Sequence, residues 1–139
     1  MNLKYTKKFI VNEENNIVIC ELKLADSTYN YYTKLIENTN KILEANNLKK
    51  IDSNVKIPKT FTVKSICHPE DTFDVKFGKQ NSKEKAYNKM TKKISDINYY
   101  IADALSMIAN NLYYYDYSKR NKNNVINEEN IDLYFSQEY

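Results

Sequence analysis

The run Ser65-Ile66-Cys67-His68-Pro69-Glu70-Asp71-Thr72-Phe73-Asp74 gathers most of the side chains here that could do chemistry. It holds the single histidine, one of two cysteines, one of two prolines and three carboxylates. A zinc site wants four N or S ligands, commonly in close pairs such as Cys-x2-Cys. Cys20 is far from Cys67 in the chain, so a set made of Cys67, His68, Glu70 and Asp74 falls off the common spacings. A nucleophilic Cys-His dyad needs its two side chains within hydrogen-bond reach, and neighbours on a strand point to opposite faces. Paired hydrolytic carboxylates must face each other across a cleft, whereas Glu70 and Asp71 share one turn. Cys67 and His68 would be the residues to carry any catalysis. The expectation is nonetheless no enzyme, no metal and no cofactor.

A structural role uses more of the same residues. Pro69 lacks the amide a strand ladder needs and ends the strand. Glu70-Asp71 make a polar turn, and Asp74 caps a following helix by accepting its orphan amides. Phe73, one before the cap, is placed to fold back as a hydrophobic staple. Gly78 then lets the helix lie close against a sheet.

The elements around this joint follow from periodicity. Residues 5–11 and 17–24 are β-rich runs flanking Asn12-Glu13-Glu14-Asn15-Asn16. Val18, Cys20, Leu22 and Leu24 alternate with Ile19, Glu21 and Lys23, as in a strand with one buried face. Asp26 or Ser27 is the expected cap of a first helix over 28–47, with Tyr32, Leu35, Ile36, Thr39, Ile42 and Leu43 on one face. Residues 49–58 read as a polar connection. Residues 60–67 read as a third strand, with Phe61, Val63, Ser65 and Cys67 on one side. Beyond the joint, Tyr87, Met90, Ile94, Ile97, Ile101, Ala104 and Ile108 step by three and four, a heptad seam that Leu112 and Tyr115 extend after a stutter. No Gly or Pro interrupts 79–124, so one long helix over about 75–118 is expected, with part of it protruding or pairing with another helix. Asn127 is placed to cap a short C-terminal element through Ile131, Leu133, Tyr134 and Phe135.

The pattern Cys67-x-Pro69-x-Asp71-x-Phe73-Asp74-x-x-x-Gly78, with Ala86 eight residues on, resembles a segment of small proteins from bacterial phages and prophages. In those proteins a strand leads through a Pro-Asp turn into a Phe-Asp-capped helix that carries the glycine and a later basic-Ala pair, here Lys85-Ala86. Lys79, Gln80 and Asn81 stand where that pattern is apolar. The resemblance implies a phage or mobile-element setting and carries over no catalytic residue.

Composition bounds the rest. The chain has 139 residues, 42% hydrophobic and 28% charged, which suits one globular domain. Its divisions are a sheet and first helix over 1–74, the long helix over 75–118 and a tail over 119–139. No apolar run approaches a membrane span, and the N-terminus lacks the apolar core of a signal peptide. The chain is therefore expected in the cytoplasm of a bacterial host, with both cysteines reduced. Abundant Lys, Asn, Ile and Tyr are the residues of A/T-rich codons. The formal charge is only +3, yet it is polarised. Lys76 to Lys93 contains Glu84 as its single acid, while the tail after Asn124 is acidic.

Two surfaces stand out. Lys85, Lys89 and Lys92, with Lys93 at their flank, lie opposite the seam and could track a phosphate backbone without reading bases. Thirteen tyrosines include Tyr99, Tyr100, Tyr113, Tyr114 and Tyr117, more than one helix can bury, and tyrosine is favoured at protein-binding hot spots. The expected architecture is α+β: a small antiparallel sheet, a hairpin plus one strand, packed with helices in ββαβα order. The expected function is non-catalytic capture of a host protein, a CRISPR effector or another nuclease, as an anti-CRISPR-like inhibitor of host defence. The alternative is a lysine-rich, sequence-nonspecific nucleic-acid-binding module, since the element order also permits a double-stranded-RNA-binding-like arrangement. A homodimer through the long helix is a further way to cover the seam.

Overall fold

In the computed structural model of the chain, residues 3–123 are described, their side chains through residue 114. The elements are β1 (Tyr5–Asn12), β2 (Ile17–Leu24), α1 (Asp26–Ala45), β3 (Thr60–Ile66) and α2 (Val75–Asn123). The three strands form an antiparallel sheet in the order β1-β2-β3, so the ββαβα expectation and the α+β class hold.

The hairpin closes through asparagines. Asn12 Oδ1 accepts the Asn15 amide at 3.2 Å, and Asn16 takes φ 54°, a left-handed conformation that Asn tolerates better than most residues. The register pairs Phe9 with Cys20 and Cys20 with Val63, which puts Phe9, Cys20, Val63, Leu22 and Phe61 on one face. Val18, Cys20, Leu22, Leu24 and Phe61 are buried there. On the opposite face Lys8, Ile10, Thr62, Lys64 and Ile66 are exposed.

Helix α1 starts at Ala25, not at a polar cap; no side chain caps it. Asp26 instead sits in the first turn, favourable to the helix dipole, and pairs with Lys59 at 3.1 Å. The C-terminus is a Schellman closure. Leu48 N–H donates to Leu43 O at 2.9 Å and Asn47 N–H to Glu44 O at 3.0 Å, with Asn47 at φ 57° in the place glycine usually takes. Leu48 packs back on the cluster of Leu43, Ala104 and Ile108. Of the face expected for this helix, Tyr32, Thr39 and Leu43 are buried, Leu35 and Ile36 half-buried, and Ile42 exposed.

Residues 49–58 form no regular element, as expected, but they are not merely polar. Ile57 is buried, and Ile51 and Val55 pack on the core. The Ile51 amide donates to Asn40 Oδ1 at 2.8 Å, so the segment is tied to α1 at both main chain and side chain.

Helix α2 runs 49 residues without a break, about 73 Å at the usual rise. Its first half lies across the sheet and its second half beside α1. The turn and the cap at its start are built as expected. His68 O accepts the Asp71 amide at 2.9 Å, a turn with Pro69 at its favoured second position. Asp74 Oδ1 accepts the amides of Lys76 at 3.0 Å and Phe77 at 3.3 Å, capping the helix. The staple expected of Phe73 has no opposite number, because the fourth residue after the cap is Gly78. That glycine brings helix and sheet together: a Cβ there would stand 2.7 Å from Val18 Cγ2.

The buried seam differs from the expected one at its beginning and end. Ser82, Ala86, Met90, Ile94, Ile97, Ile101, Ala104 and Ile108 are buried. The expected Tyr87 is 43% exposed and leans on Tyr5, ring centroids 6.2 Å apart. The contact of Gly78 with the sheet leaves room beneath the next turns only for Ser82 and Ala86, so the bulky ring is turned to the flank. The seam also ends early: Leu112 is 52% exposed. The C-terminal element expected after Asn127 and the side chains of Tyr115 and Tyr117 lie outside the described residues. Among the described residues no helix is long and apolar enough to cross a membrane.

Candidate binding surfaces

The joint at 65–74 is occupied with structural bonding. The Cys67 amide closes the β2–β3 ladder on Asn16 O at 2.9 Å. Its thiol makes only weak contacts, to His68 O at 3.5 Å and Asp71 O at 3.8 Å. His68 Nδ1 accepts the Glu70 amide at 3.3 Å. Imidazole and thiol thus each engage the turn's own backbone. Among the described residues, no three His, Cys, Asp or Glu side chains converge where an ion could sit. The second cysteine, Cys20, is fully buried in the core. Its burial pushes the thiol above the ordinary value, against the pull of Lys7 and Lys83.

The first turns of α2 show how polar residues replaced an apolar contact. Asn81 Nδ2 donates to the buried Ser65 Oγ at 2.9 Å. Lys79 extends its ammonium over the Phe9 ring, 5.5 Å from the centroid. Lys79 and Asn81 therefore pack through a cation–π contact and a hydrogen bond.

The tyrosine surface lies just past the C-cap of α1. There Asn111 Nδ2 donates to Asn46 Oδ1 at 3.1 Å. The helix continues over residues 112–123, roughly 18 Å farther at 1.5 Å per residue. Leu112, Tyr113 and Tyr114 are exposed on this stretch, Tyr114 by 70%. The rings of Tyr113 and Tyr114 meet edge to face at 5.6 Å, and those of Tyr99 and Tyr100 at 5.9 Å.

These tyrosines occupy two stripes and not one patch. Residues seven apart lie nearly in line on a helix, so Tyr100, Met107 and Tyr114 share one stripe. Tyr99, Ser106 and Tyr113 share its neighbour. The first stripe lies about 100° round the helix from Ile101 and Ile108. Tyr100 and Met107 also line a depression with Ile51 and Leu43, so this stripe runs from the body of the protein onto the projecting end. Met107, exposed like the tyrosines around it, was not among the expected binding residues. The seven-residue spacing Tyr100-Met107-Tyr114 was the signal that could have found it.

The lysine row is displaced from the position a free helix face would have. Lys85, Lys89 and Lys92 are exposed and Lys93 is half-buried. Lys89 Nζ donates to Thr62 O at 3.4 Å, which fastens the middle of the row to β3. The opposite flank of α2 carries Lys83 beside Glu84, Tyr87 and Asn88, a mixed surface. Compared with known proteins, the chain matches no family model, no curated sequence and no solved structure.

Proposed function

We propose that this is a non-catalytic binding protein of a phage or another mobile element, working in the cytoplasm of a bacterial host. It acts by occupying a host protein, a CRISPR effector or another defence nuclease. The observation that carries the binding role is the end of α2. Just past Asn111, which bonds to Asn46 at the C-cap of α1, the helix presents Leu112, Tyr113 and Tyr114 to solvent. Large aromatic side chains on a rigid support lose little entropy on docking, and contiguous exposed apolar surface marks interaction sites on soluble proteins. The Tyr100-Met107-Tyr114 stripe widens the same surface toward the body. The phage setting rests on the resemblance of the joint, and the nuclease target on that setting.

The test places a photo-crosslinking phenylalanine at the exposed Leu112 position and captures partners from a bacterial lysate. The expected result is a stoichiometric host protein crosslinked there and lost when Tyr113→Ala/Tyr114→Ala is added to the same probe-bearing chain, with the melting temperature unchanged. Retention of no stoichiometric protein, or equal capture by the variant, overturns the reading. Light scattering on the isolated chain separates a host partner from a second copy of this chain.

A further inference from the structure

The opposite end of the molecule, around the open edge of β3, supports a second and independent interaction. Leu24 N–H donates to Lys59 O and Cys67 N–H to Asn16 O, which places the hydrogen-bonded β2–β3 pairs at the odd residues of β3. In an antiparallel ladder the intervening residues turn their main chain the other way. The N–H and C=O groups of Thr60, Thr62, Lys64 and Ile66 therefore point out from the free edge of the sheet. Thr62 O is met there by the Lys89 ammonium at 3.4 Å.

Helix α2 runs alongside this edge in the opposite direction. Asn81 touches Ser65, Lys89 touches Thr62, and Lys92, Lys93 and Asp96 lie by Thr60 and Phe61 in a groove of about 490 Å³. Lys85, one turn from both Asn81 and Lys89, falls on the same flank. The row from Lys85 to Lys93 spans about 12 Å of helix, close to the roughly 14 Å of strand from Thr60 to Lys64. An open main-chain edge and a parallel line of cations thus face one trough.

We infer that this trough binds an extended acidic segment of a partner protein, which adds to β3 as a fourth strand. A guest strand would take the outward-pointing amides and carbonyls of Thr60, Thr62 and Lys64 and displace Lys89 Nζ from Thr62 O. Its side chains would then alternate between the two faces of the sheet. Those on the helix side recur about every 6.8 Å, against steps of roughly 6 Å from Lys85 to Lys89 and roughly 4.5 Å from Lys89 to Lys92. Acidic residues at every second position therefore meet the row, and Asp96 marks the end at which the acidic run must stop. The free edge of β1 has no such flank: the α2 residues beside it include Glu84 as well as Lys83. A nucleic acid would satisfy the lysines, but it lacks the alternating amides and carbonyls at strand spacing that match the edge of β3, which favours a peptide. The inference is separate from the tyrosine-bearing end and does not depend on it.

The test uses the full chain, an eight-residue peptide with glutamate at alternate positions, the same composition with its glutamates in one block, and a single-stranded oligonucleotide of equal charge. The alternating peptide is expected to bind in a salt-sensitive manner, about tenfold more tightly than the blocked one, and to protect the Thr62 and Lys64 amides from hydrogen exchange. Lys89→Glu/Lys92→Glu, on an exposed flank, is expected to weaken it by at least about tenfold, whereas Tyr113→Ala/Tyr114→Ala leaves it unchanged. Thr62→Pro removes an outward amide without breaking a bond to β2 and is expected to weaken the peptide as well. Equal binding of the two peptides, tighter binding of the oligonucleotide, no binding at all, or unprotected Thr62 and Lys64 amides in the bound state each overturn the inference.

Discussion

One helix gives the same residue type two fates. Near its start Tyr87 rests on Tyr5 at the flank of the sheet; farther along Tyr114 stands 70% exposed, three residues past the Asn111–Asn46 bond at the C-cap of α1. The first part of α2 is held by tertiary packing on small residues, Gly78, Ser82 and Ala86, and then on Met90 and the isoleucines. After Asn111 the same helix continues with Leu112 and Tyr114 exposed. Isolated helices of about a dozen residues are marginal in water, so the last turns of α2 gain from continuing a helix nucleated on the sheet.

That contrast can be broken by experiment. The largest effect is expected from Met90→Ala, a fully buried side chain, which should cost about 2–5 kcal/mol in a denaturant titration. Gly78→Ala should cost about 1–3 kcal/mol, because the added methyl must displace Val18 or lift the helix from β2. Asp74→Ala removes two amide acceptors at the helix start and should cost about 1 kcal/mol in the same titration. At the other end Leu112→Ala should change stability by no more than about 0.5 kcal/mol. A loss there as large as that for Met90 would mean that the projecting end is packed. Hydrogen exchange sharpens the point: amides over 112–123 should open well before those over 90–108. Thiol labelling of the native protein should modify half-buried Cys67 and spare Cys20, whose burial also holds its thiol protonated.

Much of the fold was legible because the periods are clean. The alternation from Val18 to Leu24 marked the buried face of β2, and the polar turn between Pro69 and Asp74 marked the joint with its cap. Other features escaped because they depend on what lies opposite. The heptad pattern admitted Tyr87 to the seam; the closeness of Gly78 to Val18 excluded it and selected Ala86. A polar cap was expected at Asp26 or Ser27, yet α1 begins at Ala25, with the acid placed within the first turn. Residues 49–58 looked like a solvated link, and only their packing beside α1 and on the core shows why Ile51, Val55 and Ile57 are apolar. The lysines were visible as a row, but their relation to the outward main chain of β3 is a matter of strand register.

The sequence alone determined the local elements, since turn chemistry, capping and hydrophobic period act over a few residues. It also determined that one uninterrupted helix would outlast the core, because no Gly or Pro stops it after Gly78. Tertiary structure decided which residues of that helix are buried, that Asn111 meets Asn46 at the C-cap of α1, and which strand edge the lysines border. Those outcomes depend on distances between segments far apart in the chain, and residue type does not encode such a distance until both partners are in place.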